Sequence, residues 1–276
     1  MSRHPVLLLA LALASAAAVT FVWAMAFSPG GRIVDARAMQ AFTSVPRPPL
    51  TPSIEGAAAL ADPLPFVLGG IALVALSLLR RRLLMAATVP LILLGANLTT
   101  QALKPALANP RMIELNATPS IYPGSWPSGH ATASMSLALC LVLVIGPRLR
   151  PLAALLGAGY AIAVGYALVA LGWHLPSDVF GGYLVAATFT FLGTAGLAAL
   201  EARRPPRAAR QTAAISPRVL AWTTASLLLV GGLAVVLKAP GMTGSALRHP
   251  TAMAVAMGIG MLGLALTAGM AVVLRR

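Results

Sequence analysis

The stretch GWHLPSD, residues 172–178, closes one apolar run at about 151–173 and opens the next at about 177–200. Each run is long enough to cross a ~30 Å hydrocarbon core as a helix. His174 and Asp178, four positions apart, therefore lie at the seam between two membrane spans. An ionisable pair is costly there unless it faces a polar cavity, so the seam is a functional candidate by default.

The same apolar pattern repeats in both directions. Spans are expected at about 5–27, 60–79, 83–103, 129–147, 151–173, 177–200, 218–238 and 251–274. The chain is 58% hydrophobic and 9% charged, whereas a soluble domain carries about 25% charged residues. The fold class that follows is all-α: a polytopic membrane helix bundle. The first span reads as a transmembrane helix, with a cleaved signal peptide as the alternative. Ala24-Met25-Ala26 matches the small-x-small cleavage pattern, but the apolar run exceeds an ordinary signal h-region. Cys140, the single cysteine, falls inside the fourth span, which leaves no intramolecular disulfide and reads as a core residue.

A net charge of +14 would suit a nucleic-acid partner, but its distribution argues for membrane topology instead. With eight alternating helices, thirteen basic residues fall on one side: Arg3, Arg80, Arg81, Arg82, Arg148, Arg150, Arg203, Arg204, Arg207, Arg210, Arg218, Arg275 and Arg276. Seven fall on the other: Arg32, Arg37, Arg47, Lys104, Arg111, Lys238 and Arg248. The positive-inside rule then puts both termini in the cytoplasm, and His174, Asp178 and the 104–130 region on the extracytoplasmic face. The expected location is the cell membrane, with membrane lipids as surroundings and no nucleic acid as partner.

Residues 28–59 are expected as an interfacial helix, RIVDARAMQAF, followed by a turn-rich connector. Tight turns at 80–82 and 146–151 flank a longer outside loop at 104–128, a class of loop that tends to carry function. A basic, proline-rich linker at 202–217 divides a six-span block, 1–201, from two further spans in 218–276. Gly260 and Gly263, three apart on the last span, suit close helix packing within the monomer.

Chemistry-bearing residues gather on one face. WPSGHATAS, residues 126–134, reads as a helix entry with Ser128 as N-cap, Gly129 allowing close backbone approach and His130 in the first turn. Helix-terminal amides and the positive end of the helix dipole make an anion site. Pro176 suits the first turn of the next helix and brings Asp178 near His174. A carboxylate there accepts the proton of one imidazole nitrogen and leaves the other free as a nucleophile. Lys104 and Arg111 add a point charge and a planar fork suited to phosphoryl oxygens. Each has a plainer reading alone: a packing histidine, a helix cap, or cations that snorkel to the interface. His4 and His249 read as solvated. Two histidines and an aspartate could hold a metal only if the loop gathered them, and no HExxH-type spacing supports one.

These residues resemble the type 2 phosphatidic acid phosphatase superfamily, integral membrane lipid phosphatases with a six-helix core. The family pattern is Lys, six residues, Arg-Pro; then Pro-Ser-Gly-His; then Ser-Arg, five residues, His, three residues, Asp. Here Lys104 and Arg111 carry the first part, with Met112 in place of proline. Pro127-Ser128-Gly129-His130 is intact, and His174 and Asp178 stand at the family spacing, but Ala167-Leu168 occupy the Ser-Arg positions. The resemblance covers about residues 1–200.

It implies a membrane phosphatase that needs neither metal nor other cofactor. His174 would be the nucleophile forming a phosphohistidine, Asp178 its orienting acid and His130 the donor to the leaving oxygen. Lys104, Arg111, Ser128 and the Gly129 amide would hold the phosphoryl group. The implied substrate is a lipid phosphate or diphosphate: a polyprenyl diphosphate, phosphatidylglycerol phosphate or phosphatidic acid. A lipid phosphotransferase using the same histidine, and a lipid-phosphate carrier without turnover, are the alternatives. For the arginine that Leu168 replaces, Arg32, Arg37, Arg47 or Arg248 would be the substitutes within reach of the outer face.

Overall fold

The computed structural model describes residues 5–43, 50–108, 124–203 and 250–275. The expected span at 218–238, most of the 104–128 loop with Arg111, all but the start of the 202–217 linker, and the side chains of Arg47 and Arg248 lie outside the described residues.

The described chain is helical throughout: α1 (Pro5–Phe27), α2 (Pro29–Thr43), α3 (Thr51–Ala59), α4 (Pro63–Leu79), α5 (Leu83–Ala106), α6 (Gly129–Val144), α7 (Arg150–Ala170), α8 (Pro176–Ala202) and α9 (Pro250–Val273). Among them α1, α5, α7, α8 and α9 are long and apolar enough to cross a membrane, and α3 and α4 reach that length and apolarity only together, as a pair bent by 51°. The buried helix α6 is shorter, at 16 residues. The protein is a multi-pass membrane protein.

The second span departs from expectation. Residues 51–59, expected within a connector, form α3, and the chain breaks at 60–62 before α4 begins. The physical cause is the Asp62-Pro63 step. A proline ring disfavours helical backbone in the residue before it, and Asp62 is extended, with φ −62° and ψ 162°. Helix α6 ends at Val144, short of the expected 147: Ile145 turns extended at ψ 150°, and Pro147, two residues on, has no N–H with which to continue the helical ladder.

Helix α8 runs through the middle of the bundle, with α1, α5 and α6 packed along it and α7 against α6. Its buried threonines return their hydroxyls to their own helix, Thr190 to Ala186 O at 2.8 Å and Thr194 to Thr190 O at 2.6 Å. That satisfies polar groups that have no water to bond. Helix α9 lies antiparallel on α7: Tyr166 Oη donates to Ala256 O at 2.7 Å near one end, and Arg150 Nη1 to Leu274 O at 2.7 Å at the other. The expected packing role of its glycines is met there. A methyl at Gly263 would come within 2.8 Å of Ile162, and one at Gly260 within 3.1 Å of the Tyr166 hydroxyl.

The two ends of the bundle differ chemically. Arg80, Arg81 and Arg82 between α4 and α5, Arg148 and Arg150 at the α6–α7 turn, Arg203 after α8 and Arg275 after α9 share one end. Arg80 Nη1 ties it together by donating to Val144 O at 3.0 Å. The opposite end gathers the starts of α4, α6 and α8 and the ends of α5 and α7.

Candidate active site

The α7–α8 turn is built by GWHLPSD itself. Gly172 sits at φ +73°, a left-handed conformation that costs glycine nothing. Its N–H donates to Val169 O at 3.1 Å, and Trp173 N–H to Leu168 O at 3.0 Å. This is a Schellman termination, in which the last carbonyls of α7 are satisfied and the chain reverses at once. Two residues on, Pro176 opens α8 with its ring set for the first turn and no amide to strand. His174 hangs between the two helix ends.

Asp178, fully buried in the first turn of α8, accepts from Leu175 N–H at 3.2 Å through Oδ2. The same oxygen lies 3.1 Å from His174 Nδ1. A carboxylate only accepts, so Nδ1 carries a proton and Nε2 keeps its lone pair. The structure thus brings His174 and Asp178 together in the geometry their spacing suggested.

The Pro-Ser-Gly-His segment is stitched to this turn through the backbone. Ser128 N–H donates to Asp178 O at 2.9 Å, and the Ser128 hydroxyl caps α6 by accepting from Ala131 N at 3.3 Å. Close approach of α8 makes that possible. A methyl at Gly182 would lie 2.7 Å from Ser128 O, and one at Gly181 2.9 Å from the buried Trp126 ring. The His130 ring faces His174 at 6.5 Å between centroids, tilted by 62°. Helix geometry leaves the Gly129 and His130 amides without intrahelical acceptors.

Lys104 arrives from the last turn of α5. A methyl on Gly129 would be 3.6 Å from Lys104 Nζ and 3.4 Å from Gln101 Nε2, so both side chains border the space before the α6 terminus. Lys104 also lies within the attraction of the Asp178 carboxylate. Lys104, Ser128, Gly129, His130, His174 and Asp178 therefore converge, while Arg111 lies outside the described residues.

Leu168, where the resemblance calls for arginine, is fully buried in the apolar core, and its carbonyl serves the Schellman turn. Of the substitutes considered, Arg32 donates through Nε to Phe27 O at 3.2 Å in the α1–α2 turn, and Arg37 is exposed on α2.

Three residues of the site escaped the sequence reading. Asp62, at the α3–α4 break, places Oδ1 3.0 Å from His130 Nε2. Asp35, buried on α2, accepts from Ser177 N–H at 3.0 Å and from the Ser177 hydroxyl, docking α2 on the start of α8. Gln101 stands one turn before Lys104. Only Asp62 had a local signal, the proline after it, and that signal foretold a helix break rather than a partner. Among the described residues, no group of three or more His, Cys, Asp or Glu side chains is arranged to hold a metal ion.

Residues 85–200 match the PAP2 superfamily. In fold, the chain is similar to a transmembrane PAP2-type phosphatidylglycerolphosphate phosphatase from Bacillus subtilis. That likeness has a TM-score of 0.54 at 22% identity, and it covers 71% of this chain and 99% of that one. No curated protein sequence matches the chain. The matched segment runs from α5 through α8, the helices that carry Lys104, Pro-Ser-Gly-His and the His174–Asp178 pair, so the likeness to the PAP2 superfamily lies in the part of the chain that builds the site.

Proposed function

We propose that this protein is a lipid phosphatase that removes a phosphoryl group from a lipid phosphate or diphosphate through a phosphohistidine on His174. One observation carries the reading: Asp178 holds His174 by Nδ1, which leaves Nε2 as the nitrogen for attack, in a ring that faces His130, with Lys104 within the attraction of the same aspartate. Nε2 attacks phosphorus, an N–P bond forms, and the P–O bond to the lipid breaks. His130 gives its proton to the departing oxygen. Water then attacks the phosphohistidine, passing its proton to His130, and inorganic phosphate leaves with His174 restored.

The developing charge on the phosphoryl oxygens is met by fixed donors: the Lys104 ammonium, the Gly129 amide and the α6 terminus, with Ser128 beside them. Arg111 is the further candidate from the 104–128 loop. The protein residues supply attack, proton transfer and charge stabilisation in this scheme, and no step is assigned to a metal. Of the substrate classes, phosphatidylglycerol phosphate draws support from the fold likeness to the Bacillus subtilis phosphatidylglycerolphosphate phosphatase. Applied to the arginine-rich end of the bundle, the positive-inside rule puts the site on the extracytoplasmic face.

Purified protein assayed against phosphatidylglycerol phosphate, phosphatidic acid and a polyprenyl diphosphate tests the reading. Phosphate release, inhibited by vanadate, is expected from at least one of them, with a loss of about a thousandfold or more in His174→Ala. Binding of these lipids with no release from any would show a carrier instead. Transfer of phosphate to an added alcohol in place of water would identify a phosphotransferase.

A further inference from the structure

We infer that Asp62 is a positioning residue for His130, so that the site holds two facing His–Asp dyads of opposite orientation. The inference rests on the phosphatase reading for the role of His130 and on the structure alone for the pair itself.

Asp62 is the N-cap residue of α4, a position where an aspartate ordinarily turns its carboxylate back to cap the first amides of its own helix. Here it makes no side-chain cap bond. Its Oδ1 instead reaches across to His130 Nε2 at 3.0 Å, bridging residues 68 apart in sequence. The reach is possible because the chain breaks at 60–62 and bends by 51°, turning Asp62 towards the start of α6. Tyr160 braces the break by donating from its hydroxyl to Leu60 O at 2.9 Å.

The two dyads use opposite ring nitrogens. His174 is held by Nδ1 and presents Nε2, whereas His130 is held by Nε2 and presents Nδ1. An ionised Asp62 only accepts, so it keeps a proton on His130 Nε2 and makes Nδ1 the nitrogen that exchanges protons. When the P–O bond breaks, the Nδ1 proton passes to the leaving oxygen. The ring that remains is neutral, its Nε2–H still on Asp62, and its Nδ1 lone pair is ready to take the proton of the attacking water. The side chains of His130 and Asp62 are 29% and 47% exposed. A bond so open to water adds little to stability, so its removal leaves the fold in place.

Proton donation matters in proportion to how poor the leaving group is, and this separates positioning from mere structure. Asp62→Asn and Asp62→Ala are compared with wild type on an alkyl lipid phosphate and on p-nitrophenyl phosphate. The expected result is a fall in kcat of about 10–100-fold on the alkyl ester, with little change on the aryl ester, whose phenolate leaves unaided. Asp62→Glu should recover much of the alkyl activity. Equal losses on both esters, or none on the alkyl ester, would overturn the inference.

A second measurement is independent of turnover. Nitrogen-15 NMR of histidine-labelled protein, with the His130 signals assigned by His130→Gln, should show Nε2 protonated in wild type and a redistributed tautomer in Asp62→Ala. Unchanged His130 signals would overturn the dyad even if the phosphatase reading had failed for lack of phosphate release.

Discussion

Leu168 shows how one side chain can stand at a position where the resemblance calls for arginine without filling that role. Its neighbours in the motif are legible from spacing: His174 and Asp178 meet because four residues across a tight turn bring them together, and Ser128 caps α6 as its type suggests. The Leu168 side chain is fully buried among apolar residues, while its backbone carbonyl receives Trp173 N–H at 3.0 Å and His174 N–H at 3.4 Å. Turn geometry thus survives the exchange of arginine for leucine, because it depends on the main chain. Leu168→Arg would put a guanidinium where no water reaches, at a cost of about 3 kcal/mol or more until an anion pairs with it. The variant is expected to melt below wild type, and vanadate should raise its Tm by more than it raises that of wild type. A vanadate shift no larger than wild type's would mean that the arginine does not face the phosphate space. Asp62 and Gln101 were not legible in the same way, since their partners lie on other helices and no local pattern names them.

Among elements, termini matter more here than middles. The Schellman end of α7, the proline start of α8 and the serine cap of α6 each follow from local chemistry, and each delivers one catalytic candidate to the same end of the bundle. Their mutual distance is set by how closely α8 passes the Pro-Ser-Gly-His segment. Gly182 is the tightest point: an added methyl would meet Ser128 O at 2.7 Å and Ala131 Cβ at 2.9 Å. Because one obstacle is backbone, it cannot rotate away. Gly182→Ala is expected to destabilise the fold by about 1–3 kcal/mol, read as a lower Tm. It should also reduce phosphate release by displacing Ser128 and Gly129 from Lys104. A variant with wild-type Tm and activity would refute that account. The expected helix RIVDARAMQAF forms as part of α2, but its purpose emerges only from its contact, since Asp35 is buried against Ser177 at the positive end of α8.

For the molecule as a whole, the basic end and the histidine end face opposite ways, so orientation is open to a direct test. Cys140, the chain's single cysteine, is fully buried, which keeps background labelling low. Trp173, 49% exposed beside His174, is a suitable site for a reporter. In intact cells, Trp173→Cys should react with a membrane-impermeant maleimide, whereas protection until the membrane is opened would reverse the topology. Hydrophobic length and charge asymmetry were enough to establish a multi-pass helical bundle, because burying apolar runs in lipid is a property of each segment alone. The spacing of His174 from Asp178 was equally readable, for it is spanned by a single turn. The bend that sends Asp62 to His130, the docking of Asp35 on α8, and the burial of Leu168 depended on which helices pack together. Such contacts join residues as far apart as 68 and 142 positions, and their energies arise only when separate helices meet.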